Sequence, residues 1–310
     1  MTSENNSLLL NLQEVDKTTG EVVKLDVNST STVQPVALMR LGLFVPTLKS
    51  TGKSKANRKN VTDATEELVQ LSIAKSEGYT DVKITGSRLD MDTDFKVWLG
   101  IIRSMSEYGV KSDTLELSFV EFVKMCGFDS RRSNKKMRDR ISNSLFKLAS
   151  VTLKFQSETK GWTTHLVQSA YYDINEDIVE IKAEPKLFEL YHMDRRVLLR
   201  LKAIDALQRK ESAQALYTYI ESLPQNPAPI SMKRMRDRLN LTSNVYTQNH
   251  TVRKAMEQLR DIGYLDYTEF KRGRATYFSV HYRNPKLISG PVKVPRKEEE
   301  EKAPLLCYDR

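Results

Sequence analysis

Cysteine is scarce in this sequence. Cys126 and Cys307 are the two cysteines in 310 residues, and they lie at unrelated positions, one in an apolar helical pattern and one near the end of a charged tail. A disulfide framework or a zinc site needs more thiols at closer, repeated spacing. The sequence therefore gives no basis for either kind of site.

Histidine is also rare, with four scattered residues: His165, His192, His250 and His281. None forms a metal-binding pair at helical or strand spacing. A rolling-circle nickase needs a histidine-hydrophobic-histidine motif beside a nucleophilic tyrosine, and Tyr171-Tyr172 supplies the tyrosines alone. We therefore predict no metal site, no cofactor and no enzymatic activity.

Two further motifs are present only in part. His192 and Arg195 match the His-x-x-Arg element of tyrosine recombinases, with Tyr217 and Tyr219 downstream. The two tyrosines fall on an apolar helical face, which favours a core position and leaves strand-transfer chemistry as a weaker alternative. Residues 52–54 resemble the end of a phosphate-binding loop, but Thr47 stands where that loop needs glycine.

Long apolar runs are missing as well. No stretch approaches eighteen uncharged apolar residues, and the chain starts with MTSENNS instead of a basic region followed by an apolar one. Such a sequence has neither a candidate membrane span nor the pattern of a signal peptide. We predict a cytoplasmic protein without a membrane partner.

Positive charge is what the chain has in excess. The formal net charge is +9, from 49 Lys and Arg against 40 Asp and Glu. The excess is concentrated: residues 130–156 contain eight cations and one acid, and residues 230–283 contain eleven cations and five acids. Clusters of this kind are typical of a surface for a polyanion.

Residues 228–282 read as a winged helix-turn-helix. Two helical patterns are followed by Gly263, which is expected to end the second helix as a left-handed C-cap. The period then changes to two, and a basic turn at 271–274 joins two predicted strands. The predicted DNA contacts are polar or cationic residues of the second helix, from about Gln248, and of the hairpin tip: Thr247, Gln248, Asn249, His250, Arg253, Lys254, Lys271, Arg272 and Arg274.

An earlier part of the chain repeats this layout. Ser118 aligns with Ser231 at an offset of 113 residues, and Leu145 aligns with Leu259 at an offset of 114. The first copy has strands predicted at 151–156, 164–174 and 178–183, with a wing at 157–161. Its predicted DNA contacts crowd the start of its second helix: Arg131, Arg132, Ser133, Asn134, Lys135, Lys136 and Arg138.

The predicted fold class is α+β, with two tandem winged-helix domains and disordered N- and C-terminal tails. A polar, charged composition predicts a flexible arm over residues 1–35 and a flexible charged tail over 286–310. The N-terminal winged-helix domain is predicted at 36–184 and the C-terminal one at 185–285. We expect the second to supply most of the sequence-specific binding.

Several long stretches resemble one family. They are TVQPVALMRLGLFVPTLK at 32–49, DATEEL at 63–68, THLVQSAYYD at 164–173, ESAQALYTYIESLP at 211–224 and TVRKAMEQLRDIGYLDYTEFKRGR at 251–274. With these motifs in order over about residues 32–285, the chain resembles iteron-binding plasmid replication initiators of the RepFIB replication protein A type.

The resemblance implies binding to repeated sites in double-stranded origin DNA of a plasmid or phage-plasmid, opening of the duplex and recruitment of host initiator and helicase proteins. It also implies a homodimer in equilibrium with the monomer, with the N-terminal domain supplying much of the dimer contact and the dimer repressing its own gene. From the residues alone, a transcriptional regulator without a replication role remains the alternative.

Overall fold

The computed structural model describes residues 13–15, 22–24, 27, 29–47, 61–63, 79–108, 114–129, 134–173, 175–193 and 196–287. Several sequence predictions lie outside these residues. They are most of the arm at 1–35, the charged tail from 288 onward, the partial phosphate-binding loop at 52–54, Arg195 of the His-x-x-Arg element, and Arg131, Arg132 and Ser133.

Nine helices lie within the described residues. In chain order they are α1 (Val36–Arg40), α2 (Asp94–Tyr108), α3 (Phe119–Met125), α4 (Lys135–Ser150), α5 (Pro185–Met193), α6 (Leu201–Ala206), α7 (Glu211–Glu221), α8 (Met232–Leu239) and α9 (Val245–Asp261).

The strands of the same residues form six small sheets. In chain order they are β1 (Gln13–Val15), β2 (Val22–Lys24), β3 (Ser31–Pro35), β4 (Phe44–Val45), β5 (Val61–Asp63), β6 (Asp81–Thr85), β7 (Leu89–Asp90), β8 (Thr114–Ser118), β9 (Thr152–Gln156), β10 (Gly161–His165), β11 (Ser169–Asp173), β12 (Ile178–Lys182), β13 (Arg196–Arg200), β14 (Ile230–Ser231), β15 (Leu265–Arg272) and β16 (Ala275–Arg283). The pairing orders are β1-β2, β10-β9-β6-β5, β11-β12-β8, β13-β3, β14-β16-β15 and β4-β7.

The second winged helix has the predicted order. α7, α8 and α9 pack together, and the hairpin β15–β16 follows with β14 as its third strand. Ser231 caps α8 by accepting a hydrogen bond from the Arg234 backbone N–H at 3.2 Å. Gly263 ends α9 with φ +73°, and the Tyr264 N–H donates to the Leu259 carbonyl at 3.1 Å, which confirms the predicted left-handed cap.

The first winged helix repeats this order in α2, β8, α3, α4 and the hairpin β9–β10. Ser118 caps α3, and the Glu121 side chain accepts from the Ser118 backbone N–H, so a capping box is present. The inner face of α4 is buried at Ile141, Leu145 and Leu148. The fold class predicted for both copies, α+β with tandem winged helices, is confirmed.

The sheet of the first copy differs from the prediction. A single return strand was expected at 164–174, but β10 ends at His165 and β11 begins at Ser169. β10 pairs with β9, whereas β11 pairs with β12 and β12 with β8. The reason is that Leu166 and Val167 are both buried, so the chain turns inward there and enters a second sheet.

The predicted flexible arm is wrong for its last residues. β3 is fully buried and pairs antiparallel with β13, which lies more than 160 residues later in the chain. The following helix α1 packs against α7 of the second winged helix. A segment that precedes the first copy is therefore built into the second.

Three arginines donate hydrogen bonds to backbone carbonyls and so connect the first part of the chain to the second winged helix. The buried Arg238 of α8 donates to the Met39 and Phe44 carbonyls, both at 3.0 Å. Arg40 donates to the Ser222 carbonyl at the end of α7, and Arg88 donates to the Pro46 and Asn240 carbonyls. Guanidinium groups at helix C-termini satisfy carbonyls that the helix leaves without partners.

Candidate nucleic-acid interface

The outward face of α9 is the most prominent polar surface of the second copy. Val252, Met256 and Leu259 are buried on its inner side, while Tyr246, His250 and Lys254 are exposed on the opposite side. The helix begins one turn earlier than about Gln248, because Asn244 caps it by accepting from the Thr247 backbone N–H at 2.9 Å. The first turn of α9 therefore lies before the residue at which the helix was predicted to begin.

Arg253 is held by an acid from the neighbouring hairpin. Its Nε lies 2.9 and 3.1 Å from the two carboxylate oxygens of Glu269 on β15, and its Nη2 lies 2.8 Å from one of them. The hydrogen bonds to Glu269 raise the pKa of Arg253 above its ordinary value. The pair fixes the guanidinium between the helix and the wing.

Gln248 and Asn249, two of the predicted DNA contacts, have partly buried amide side chains. Gln248 donates through Nε2 to the Leu241 carbonyl at 3.1 Å and the Ser243 carbonyl at 2.6 Å, so it closes the turn before α9. Asn249 is half-buried on the flank of the helix. Thr247 is exposed in the first turn. Base contact by these three residues stays a prediction.

The wing tip brings its three predicted cations together. Lys271, Arg272 and Arg274 are all exposed at the turn between β15 and β16. Gly273 sits in that turn with φ +60°, a left-handed conformation that a residue without Cβ adopts readily. A stacked pair below the tip, Phe270 and Tyr277 at 5.8 Å between ring centroids, supports the hairpin.

The charge on the outward face of α9 changes sign after Lys254. The first part of the helix, up to that residue, presents His250, Arg253 and Lys254, whereas the outward face of the part that follows presents Glu257 and Asp261. A phosphate backbone attracts the first part and repels the second. The N-terminal part is therefore the part of the helix suited to enter a groove.

Arg260, near the C-terminal end of α9, contacts two residues of β15. Its Nε lies 3.2 Å from the Asp266 carboxylate, and its guanidinium carbon lies 4.0 Å from the Tyr267 ring centroid. The side chain is thus bound to the root of the hairpin and stiffens the joint between α9 and β15.

In the first copy, some of the described basic residues are exposed to solvent and others contact protein groups. Lys135 and Lys136 are exposed in the first turn of α4, and Asn134 caps that turn by accepting from the Met137 N–H at 3.1 Å. Arg138 lies over the Phe119 ring at 4.5 Å and 3.5 Å from Asp177. Arg131, Arg132 and Ser133 lie outside the described residues, so their part of the predicted surface stays a prediction.

Two other cations of α4 face the protein. Lys147 bonds to Asp90 at 3.0 Å and to Asp94 at 2.5 Å, at the start of α2. Burial and the charge of Asp90 raise the pKa of Asp94 to about 6, whereas Asp90 has a lowered pKa because it accepts hydrogen bonds from Thr93, Asp94 and Lys147. Arg140 likewise bonds to Asp92 and Thr93. These cations join α4 to α2 and are separate from the outward surface.

Sequence reasoning missed several exposed apolar side chains on the two second helices. Val245 and Tyr246, in the first turn of α9, are 58% and 85% exposed, and Phe146 on α4 is 72% exposed. The signal was present in the sequence, because Asn244 is a favourable N-cap and places Tyr246 one turn before His250 on the same face.

The two tyrosines downstream of the His-x-x-Arg element lie in the protein core. Tyr217 and Tyr219 are fully buried, and the Tyr217 hydroxyl donates to the Arg200 carbonyl at 3.1 Å. Burial raises the pKa of Tyr217 and of Cys126. Within the described part of the chain, no group of three histidine, cysteine or acidic residues is placed to hold a metal ion. No helix of the described ranges is long and apolar enough to cross a membrane.

Comparison with known proteins gives several matches. Residues 82–221 match the family model described as Initiator Replication protein, WH1. RepFIB replication protein A of Salmonella typhi is 58% identical over 291 residues, which cover 93% of this chain and 88% of that protein. Replication protein RepA of Salmonella typhi is 55% identical over 306 residues, 97% of this chain and 87% of the relative.

Solved structures show weaker similarity. Domains 2 and 3 of RctB align with a TM-score of 0.45 at 11% identity, over 80% of this chain and 98% of theirs. Pi initiator protein in complex with iteron DNA aligns with a TM-score of 0.41 at 10% identity, over 63% of this chain and 96% of its own. The sequence identity over nearly the whole chain decides the assignment: this protein belongs to the family of plasmid replication initiators that includes RepFIB replication protein A.

Proposed function

We propose that this protein starts replication of a plasmid or phage-plasmid by binding repeated sites in its origin through both winged helices. The observation that supports this most directly is the α9 surface, where an exposed aromatic, a held arginine and a lysine lie beside a tip of three cations. The N-terminal part of α9 would enter a major groove, and the wing would contact phosphates or the minor groove.

The first copy would dock on the same duplex through the start of α4. Lys135 and Lys136 are exposed there, and Arg138 lies at the edge of the same turn. A second helix placed in this way would occupy a groove about one helical turn from the first. The proposal requires that both second helices face one duplex at the same time.

Opening of the duplex, recruitment of host initiator and helicase proteins, and repression of the protein's own gene complete the proposed role. They are carried over from the family resemblance, and a cytoplasmic location fits them. We also expect the protein to need no cofactor and to perform no strand chemistry.

We further propose that β11 is the surface through which the first copy forms a homodimer. β11 is the edge strand of the sheet β11-β12-β8, and its Tyr171 and Tyr172 are 55% and 43% exposed. An open strand edge with exposed aromatic residues can pair with a second copy. Tyr171→Lys should shift the protein towards monomer in analytical ultracentrifugation, whereas Tyr282→Lys on β16 should not.

Footprinting on candidate origin DNA tests the central proposal. We expect protection of repeated sites, each covering two successive major grooves on one face. Arg253→Ala should weaken binding to these sites by about 1 to 3 kcal/mol and change binding to random DNA little. Equal losses on both kinds of DNA would remove Arg253 from the reading surface.

A replication assay separates an initiator from a transcriptional regulator. A plasmid that carries the protected repeats and has no other origin should be maintained only when this protein is supplied. Repression of a reporter without plasmid maintenance would instead support the regulator.

A further inference from the structure

We infer that Glu269 is a positioning residue for base reading: it holds the Arg253 guanidinium so that the remaining edge of that group can bind one guanine. This inference deepens the proposed function and depends on it. It assigns to an acid on the DNA-facing side a role that charge attraction alone would not predict.

The geometry of the pair supports this role. Glu269 accepts from Nε and Nη2, which together form one side of the planar guanidinium group. The opposite end of the group, with N–H bonds on Nη1 and Nη2, remains available. This end-on fork is the one that matches the O6 and N7 acceptors of guanine in the major groove.

The placement of the pair also supports it. Arg253 lies on the same face of α9 as Tyr246 and His250, one turn beyond His250, and its side chain is 43% exposed. Glu269 comes from the adjacent wing strand and is 32% exposed. A guanidinium held between two elements loses less conformational freedom on binding than a free arginine, so its contact with a base is stronger.

Electrostatics explains why an acid here favours specific binding. A carboxylate next to the duplex is repelled by phosphates and therefore weakens binding to DNA of any sequence. If Glu269 only balanced charge, removing it would strengthen binding to all DNA alike. If it positions Arg253, removing it weakens binding to the correct site relative to random DNA.

The test measures the ratio of affinities for two DNAs in the full-length protein. A site is first selected with the wild-type protein from a randomised duplex library. Glu269→Gln should lower the ratio of specific to random affinity by roughly tenfold, with binding to random DNA unchanged or stronger. Asp266→Asn is the matched control, because Asp266 pairs with Arg260 on the same helix and strand but beside the acidic part of α9.

A second measurement identifies the base. In the selected site, each guanine is replaced in turn by 7-deazaguanine, which lacks the N7 acceptor. Wild type and Asp266→Asn should lose affinity at one common guanine, whereas Arg253→Ala and Glu269→Gln should be insensitive at that position. Unfolding midpoints of all variants establish that each is folded.

The outcomes are distinct. A tenfold fall in the ratio together with loss of the guanine effect supports the inference. An unchanged ratio in Glu269→Gln, or a wild type without a sensitive guanine, overturns the inference and leaves the proposed function standing. If the wild-type protein enriches no sequence, both are overturned.

Discussion

Ser118 and Ser231 perform the same task in the two halves of the molecule. Ser118 is the N-cap of the helix before α4 and Ser231 is the N-cap of the helix before α9, and each side chain accepts from the backbone N–H three residues later, at 3.2 Å in both cases. The helices α4 and α9 are matched in the same way, by the caps Asn134 and Asn244. The two winged helices therefore share the local interactions that set where their helices begin.

The wing should contribute charge and little sequence preference. If the whole protein neutralises about eight phosphates, log K should fall with log salt at a slope of about −7. Lys271→Ala should reduce the magnitude of this slope by about one and weaken specific and random binding alike. Lys83→Ala is the control, because Lys83 lies on β6 and is paired with Asp81 at 3.3 Å. The measurement is a binding titration across salt concentrations.

Tyr246 should contribute to recognition and not to folding. It is 85% exposed in the first turn of α9, where an aromatic ring can pack on thymine methyl groups. Tyr246→Ala should lower specific affinity by about 1 to 2 kcal/mol, as expected for losing a buried aromatic contact. Its unfolding midpoint should match that of the wild type. Tyr282→Ala, an exposed tyrosine on β16, is the control, and equal losses in both variants would contradict the assignment.

Lys147→Met should destabilise the first winged helix in a pH-dependent way. The substitution leaves Asp94 buried without its cation, at a cost of about 3 kcal/mol near neutral pH. The folded-state pKa of Asp94 is about 6 against an ordinary 3.8, so its contribution to stability is complete below about pH 4 and is lost as pH rises through 6. Loss of the ammonium raises this pKa further, and the deficit should be larger at neutral pH than near pH 5.

Urea unfolding of Lys147→Met and Lys147→Arg at both pH values measures this effect. The arginine variant keeps the cation and should lose little stability. Asp90 has a lowered pKa, and its contribution is lost only as pH falls below its ordinary value, outside this window. The same deficit at both pH values would contradict the role given to Asp94.

Arg238→Met should destabilise the packing of residues 31–47 against the second winged helix. The buried guanidinium donates to the Met39 and Phe44 carbonyls, which would be left without these donors. We expect a loss of about 3 kcal/mol, because buried carbonyls without partners are costly. Lys233→Met on the same helix should cost under about 0.5 kcal/mol, since Lys233 is exposed. Thermal unfolding of the two variants gives the comparison.

Short-range patterns allowed much of this fold to be predicted. The buried residues Phe95, Trp98 and Ile102 of α2, the capping box at Ser118 and the cap at Gly263 all follow from periodicity and capping chemistry. Those features depend on residues three or four positions apart. They could be identified without knowing how distant segments meet.

What could not be predicted depends on distant contacts or on side-chain direction. The pairing of β3 with β13 joins segments far apart in sequence, and the break between β10 and β11 depends on how Leu166 and Val167 pack in the core. Gln248 was included among the predicted DNA contacts because the DNA-contacting part of α9 was expected to begin there. With the helix starting at Val245, Gln248 turns towards Leu241 and Tyr246 takes the outward position.

The pairing of β3 with β13 has a consequence for how such proteins can be exchanged between replicons. A cut at residue 185 would detach β13 and α7 from the strand and helix that cover them, and would leave Arg238 buried without its acceptors. Recombination could place the part of the chain after residue 185 in a divergent relative. The product would fold only if residues 31–47 were transferred as well, or if the relative had compatible residues at those positions. The two halves would thus be inherited as one unit.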